Sequence, residues 1–354
     1  MTEVPTISST IRRLDRGGWL RAWASLPTER QSTYYHPDYV AAVAQWEGGE
    51  AECVQIDGDG GWLLYPYVRH AIPGDSSNAF DVQTAYGYGG PLFVGEWSHA
   101  SRVDALRDIG KYLTNGGAVA EFVRCHERWT DVNTLRDAGY VTPVVRTNVS
   151  SDLMSEAAPA SWGSNVRRNL KRAAAVGLRW RVGTSGDDLD AFVNLYAMTA
   201  ERLGMGASYR FDAAYFRAIF AMGSPLAQLV LVETMDAIPV AGALVLCGGD
   251  IAHYHLGGSD FARQNDRPND LLYLAMAETA RAAGCSSIAW GGGLSTDPDD
   301  SLFRFKCGFG NVRTPAHVGC RVLNESAYRS LIDDWERRNP DRAATCKLFL
   351  RYRA

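Results

Sequence analysis

The chain has 354 residues, 46% of them hydrophobic and 21% charged, with a formal net charge of -4. That length suits two domains of a globular protein, and the charge excludes nucleic-acid binding through overall basicity, so any RNA contact must come from a local patch. The opening MTEVPTISSTIRRLDRG has no apolar segment behind its basic residues, and the longest apolar runs, AQLVLV and VAGALVLC, fall short of a membrane span. A cytoplasmic protein with no membrane span is therefore expected; its oligomeric state is left open, with a monomer favoured. The seven cysteines are scattered and form no CxxC pair, which argues against a disulfide framework or a zinc site, so no metal is expected.

Residues 1–30 read as a lead-in strand and helix, and YVAAVAQW (39–46) has helical period. AECVQIDG and GWLLYPYVRH are strands joined by the turn-rich DGDGG, a hairpin signal. AYGYGGPLFVG reads as an aromatic, glycine-rich loop leading into a strand. A helix follows over 98–116, then the strand AVAEFVRCH, a short helix in WTDVNTLRDAGY and the strand VVRTNVSSDL.

The same grammar then restarts. SWGSNVRRNLKRAAAVG is a basic helix, RWRVGT a strand, and DDLDAFVNLYAMTAERLG and FDAAYFRAIFAMG are helices. The segment 227–260 reads as three strands with turns at Met235-Asp236 and Gly248-Gly249-Asp250. RPNDLLYLAMAETARAAG is a helix and CSSIAWGGG a strand entering a glycine loop. SLFRFKCGFG opens another helix, and SAYRSLIDDWERRNP closes the chain. Each half thus holds meander strands, a helix, a strand and a helix, an order that suits an α+β (mixed α/β) chain of two tandem GNAT-like domains. The polar, proline-containing SSDLMSEAAPAS places the boundary near 150–163, giving 1–150 as the acceptor-side domain and 151–354 as the second domain with its C-terminal helix.

Three segments of the second half carry a family resemblance: NVRRNLKRA at 165–173 followed by Gly177, RPNDLL at 267–272, and LFRFKCGFG at 302–310. They resemble the Fem-type (FemABX) peptidyltransferases and the FemAB-like acetyltransferase-domain proteins of the GNAT superfamily. GYGGPL at 87–92 is similar to that family's aromatic-glycine loop. The resemblance implies an aminoacyl-tRNA donor, an active-site Phe-Lys pair at Phe305 and Lys306, and an arginine, Arg202 or Arg210, clamping a nucleotide-linked acceptor. It also implies an aspartate base at the end of a first-domain strand. Here EFVRCHERW departs from the pattern and offers His126, whose imidazole can accept a proton near neutral pH.

An acyl-CoA enzyme of this fold needs a glycine-rich backbone cradle for pyrophosphate at a helix N-terminus. The corresponding turn, SDFARQNDRPNDLL, has no glycine between Asp260 and Leu271, unless Gly257-Gly258 serve instead. Lys306, expected near a helix start, would supply charge to an oxyanion or phosphate. Arg167, Arg168, Lys171 and Arg172 form a short basic stripe suited to a tRNA acceptor stem, or a solvated helix face. Tyr35, His36, Tyr88 and Asn269 join the expected substrate-binding set. The expectation is an aminoacyl-tRNA-dependent acyltransferase without a bound cofactor, forming an amide on a peptidoglycan precursor or peptide-type natural product. The alternatives are an acetyl-CoA-dependent N-acetyltransferase acting on a sugar or amine, and a non-catalytic double module binding RNA or a partner.

Overall fold

A computed structural model describes residues 10–58, 60–72, 78–154 and 161–354. Part of the expected boundary segment, 155–160, lies outside the described residues. The chain forms two compact units, one of residues 1–22, 43–144 and 317–354, the other of residues 23–42 and 145–316. Residues 23–42 thus group with the second unit and 317–354 with the first.

In the first unit the sheet runs β1 (Ile11–Arg13), β2 (Glu50–Gly58), β3 (Gly61–Ala71), β4 (Phe80–Gln83), β6 (Ala118–Arg124) and the Val318–Val322 part of β13 (Val312–Val322), with β5 (Leu92–Gly95) beside β3. β2, β3 and β4 form an antiparallel meander, and after α3 (His99–Asn115) the chain returns in β6, parallel to β4. α3 starts where Ser98 accepts from the Ser101 N–H at 3.0 Å, satisfying one of the donors a helix start leaves open. Inside this unit Glu121 is fully buried and accepts from Tyr65 Oη at 2.7 Å, Tyr140 Oη at 2.8 Å and Arg321 Nε at 3.0 Å. A buried carboxylate needs such a set to offset its desolvation.

The second unit repeats the pattern. α5 (Ser164–Ala175) precedes β8 (Arg179–Gly183), α6 (Gly186–Arg202) and α7 (Ala213–Phe220). β9 (Ala227–Glu233), β10 (Pro239–Leu246) and β11 (Ile251–Ser259) form the meander. α8 (Pro268–Ala282) leads to β12 (Ser287–Gly291), parallel to β11, and α9 (Ser301–Cys307) follows. The sheet order is β7 (Val144–Asp152), β12, β11, β10, β9, β8. Alternation along the strands sends Val230, Val232, Ala241 and Ala243 into one core with Leu272, Met276 and Ala280 of α8. Gly242 faces the other way, where a Cβ would meet Phe192 of α6 at 3.1 Å, so α6 and α8 cover opposite faces.

Candidate active site

The site grows from the way β11 leaves β12. The two strands pair only over Ile251–His253 and Ser287–Ala289, whereas β11 stays with β10 as far as Ser259. On the β10 side Leu244 opposes Leu256 and Val245 opposes Tyr254, so His255 is an unopposed, bulged residue. A bulge bends its strand and re-aims side chains. The result is a notch in the second unit between the far half of β11 and the loop after β12.

Lys306 spans that notch. Its Nζ donates to the Gly292 carbonyl at 2.8 Å and sits 5.7 Å from the centre of the Tyr254 ring. Only 7% of the residue is exposed. Burial lowers its ammonium to about 7, Arg146 pushes in the same direction, and Asp300 partly opposes them. The glycine loop makes this approach possible. A Cβ on Gly292 would lie 2.6 Å from the Thr147 carbonyl, and one on Gly293 would lie 2.5 Å from Asp300. Phe305 packs at 5.2 Å from Tyr273 and 5.0 Å from Phe309, which fixes the wall beside Lys306.

One expectation is corrected here. Lys306 lies in the last turn of α9, not near its start. Asp300 caps the helix through the Phe303 N–H at 2.9 Å, and Gly308 closes it after seven residues. The Lys306 Cα therefore sits at the carbonyl end of α9, from which the side chain reaches back to the Gly292 carbonyl; what the site offers is the ammonium charge itself.

The turn from β11 to α8 falls where the sequence places it. Asp260 accepts from the Ala262 N–H at 2.9 Å, and residues Phe261–Asp266 form a 3-10 helical turn. Arg267 takes a left-handed conformation, φ 66°, directly before Pro268. Gly257 and Gly258 are no substitute cradle: a Cβ on the first would meet Tyr254 Oη at 2.5 Å, and one on the second the Leu195 backbone at 2.5 Å. They permit close packing inside the unit. The first turn of α8 also carries buried Asp270, which accepts from Asn169 Nδ2 at 3.0 Å. Burial pushes that carboxyl up, with Asn169 and Arg267 opposing. Asn269 donates to Ser259 Oγ at 3.1 Å and so closes the turn.

On the opposite face of β11 lie His253 and His255, which reasoning from sequence misses. His255 Nε2 is 2.7 Å from Tyr215 Oη, and Nδ1 is 3.4 Å from Tyr34 Oη. Burial, with His253 nearby, lowers His255 to about 3, so the imidazole is neutral. The signal available is a histidine alternation, HYH, on a strand.

The other expected residues divide by unit. In the second, Arg167, Arg168, Lys171 and Arg172 all lie on α5, with Arg168, Lys171 and Arg172 forming no ion pair among the described residues. Arg202 stacks on Phe261 at 4.6 Å, whereas Arg210 donates to the Met205 carbonyl at 2.7 Å. Tyr35 is fully buried, and His36 packs edge-on against Trp23 at 4.7 Å. In the first unit, half-buried Tyr88 lies 6.1 Å from the His126 ring. His126 is buried, stacks on Trp129 at 3.9 Å and accepts the Arg128 N–H at Nδ1, 3.3 Å away. Asp81 binds Arg353 at 2.5 Å and Tyr352 at 3.1 Å, anchoring the end of the chain.

Comparison with known proteins gives this geometry a context. Residues 160–306 match the model of a family described as acetyltransferase (GNAT) domain. The chain is similar in structure to FemX, with a TM-score of 0.70 and 16% identity over 91% of this chain and 99% of that one. It is also similar to the C-terminal domain of a putative lysylphosphatidylglycerol synthetase from Agrobacterium fabrum, with a TM-score of 0.55 and 16% identity over 91% and 97%. A tandem GNAT protein from the clavulanic acid biosynthesis pathway gives a TM-score of 0.50 and 8% identity over 89% and 99%. No curated protein matches the sequence.

Proposed function

We propose that this chain, which has the tandem GNAT fold of FemX and a GNAT acyltransferase domain in its second unit, transfers an aminoacyl group from tRNA to an amine. The acceptor class is a peptidoglycan precursor or a peptide-type natural product. The observation that carries this reading is the head of α8. A pyrophosphate cradle needs free backbone N–H groups and room for close approach. Here a 3-10 turn without glycine fills the place, Pro268 lacks an N–H, and buried Asp270 occupies the first turn.

In this reading the acceptor amine attacks the ester carbonyl carbon, a C–N bond forms, and the carbonyl oxygen becomes an oxyanion. Collapse breaks the C–O bond and releases the ribose hydroxyl of the tRNA, while the amine proton passes to solvent or to the leaving oxygen. Lys306, in the notch, supplies the positive donor for the oxyanion. Arg167, Arg168, Lys171 and Arg172 of α5 track the acceptor-stem phosphates. No bound cofactor enters the scheme.

The family match favours a second reading, an acetyl-CoA-dependent N-acetyltransferase acting on a sugar or amine. Titration calorimetry with acetyl-CoA separates the two. The aminoacyl-tRNA reading expects no heat of binding at micromolar concentrations, and micromolar affinity would overturn it.

A further inference from the structure

The turn that lacks a phosphate cradle carries a different kind of surface. Phe261, its first residue, is 49% exposed although Arg202 of α6 lies 4.6 Å from its ring centre. Among the described residues that ring is the only partner Arg202 has, so a guanidinium lies beside an open aromatic face. The stack is held from beneath: Thr199, one turn before Arg202, exchanges hydrogen bonds with the Ser259 N–H at 3.0 Å and carbonyl at 3.3 Å. Met198, one turn before Arg202 on the same helix face, and Tyr209, in the loop that follows α6, are each about half exposed. At the end of the same turn, Arg267 is held in its left-handed conformation, and its Nε is buried with no hydrogen-bond partner among the described residues. Strain of this kind in a residue other than glycine persists where the surroundings fix it, commonly at binding sites. The nearby acids are engaged: Asp260 caps the turn and Asp266 pairs with Arg263 at 3.0 Å.

An exposed phenylalanine under an arginine, with further arginines on the same turn, has the chemistry of a platform for unpaired nucleobases. We propose that Phe261 and Arg202 stack a base of the single-stranded 3′ end of the donor tRNA, with Arg267 facing its phosphate. This rests on the aminoacyl-tRNA reading above and places Arg202 on the donor side. A strand rises about 3.3 Å per residue, so Phe261 lies on the order of 20 Å along the chain from Tyr254 at the Lys306 notch. That is the reach of the few unpaired nucleotides that end a tRNA, with the esterified one at the notch and an earlier base at Phe261.

The test is fluorescence anisotropy with a labelled single-stranded RNA ending in CCA, run on the wild type, Phe261→Ala, Phe261→Trp and Arg202→Gln. Loss of one stacking partner should weaken binding on the order of 10-fold in Phe261→Ala, with a comparable loss in Arg202→Gln. Phe261→Trp should bind at least as tightly as the wild type, an outcome a packing role would not produce. Unaltered thermal melting of Phe261→Ala checks that an exposed side chain was removed without unfolding. Equal binding by the wild type and Phe261→Ala, or no binding by the wild type, overturns the inference. The two readings fail separately: a wild type that transfers acyl groups only from acyl-CoA sinks the donor assignment, whereas tRNA-dependent turnover with an unchanged KM in Phe261→Ala sinks the stacking site alone.

Discussion

At the scale of single residues, the proposed chemistry turns on the ionisation of Lys306. Burial lowers its folded pKa to about 7 from 10.5 in the open chain, so between those values the folded state binds fewer protons than the unfolded state. Stability therefore rises with pH from about 7 to 10.5, and below about 7 the cost of the buried ammonium is present in full. Lys306→Met keeps the stem and removes the charge, so its melting temperature should equal or exceed that of the wild type below about pH 7, with the gap shifting toward the wild type as pH rises. Activity runs the other way. An oxyanion donor must be protonated, so the wild-type rate should fall as pH rises through about 7, superposed on the ascending limb of the acceptor amine. Lys306→Met should lose about 10²–10³ in turnover, the usual effect of removing one such donor. Lys306→Arg should recover little rate, yet its residual activity should lose the descending limb, since a guanidinium stays charged. A pH–rate profile unchanged in Lys306→Arg would show that Lys306 is not the titrating donor. FK-x-x-FG points to this residue from sequence, but its place in the last turn of α9 is not legible there. That depends on Asp300 as the cap, one polar residue among several in STDPDDS. His255 is hidden for a related reason: the HYH alternation puts two histidines on a strand, but nothing in it separates a tyrosine-bonded, neutral ring from any other.

At the scale of elements, strands and helices are legible where period and glycine punctuation agree, as in the β2–β3 hairpin and in α8 with Gly284 at its end. β13 is not. VRTPAHVGCRV contains a proline and shows no clean alternation, and its strand character comes from pairing Val318–Val322 with β6 rather than from local preference. The 3-10 turn 261–266 likewise shows in the sequence only as glycine-free chain. α5 is legible as a basic helix, and its mostly exposed basic face makes its role measurable. If it tracks phosphates, the Arg168→Gln/Lys171→Gln pair should weaken tRNA binding and flatten the slope of log affinity against log salt by on the order of 1 for each phosphate no longer neutralised. Filter binding across a range of KCl concentrations reads this. A slope identical to the wild type would mark α5 as a solvated face.

At the scale of the whole molecule, one topology is used twice: an antiparallel meander, a helix, and a strand parallel to the meander's last strand. Pattern alone conveys this, because the order of elements survives without sequence identity between the halves. The grouping of 317–354 with the first unit is not legible, since it rests on distant pairs such as Arg321 with Glu121 and Arg353 with Asp81. The two units also differ in a way that matters for chemistry: the notch, the glycine loop and Lys306 belong to the second. In the proposed reaction this unit takes its acyl group from tRNA. The most direct measurement supplies the full chain with radiolabelled aminoacyl-tRNAs or radiolabelled acetyl-CoA, each with the same panel of amine acceptors, and follows label into amide. Incorporation from at least one charged tRNA, and none from acetyl-CoA, is the expected result; incorporation from acetyl-CoA alone would mean that the donor is acyl-CoA and not tRNA.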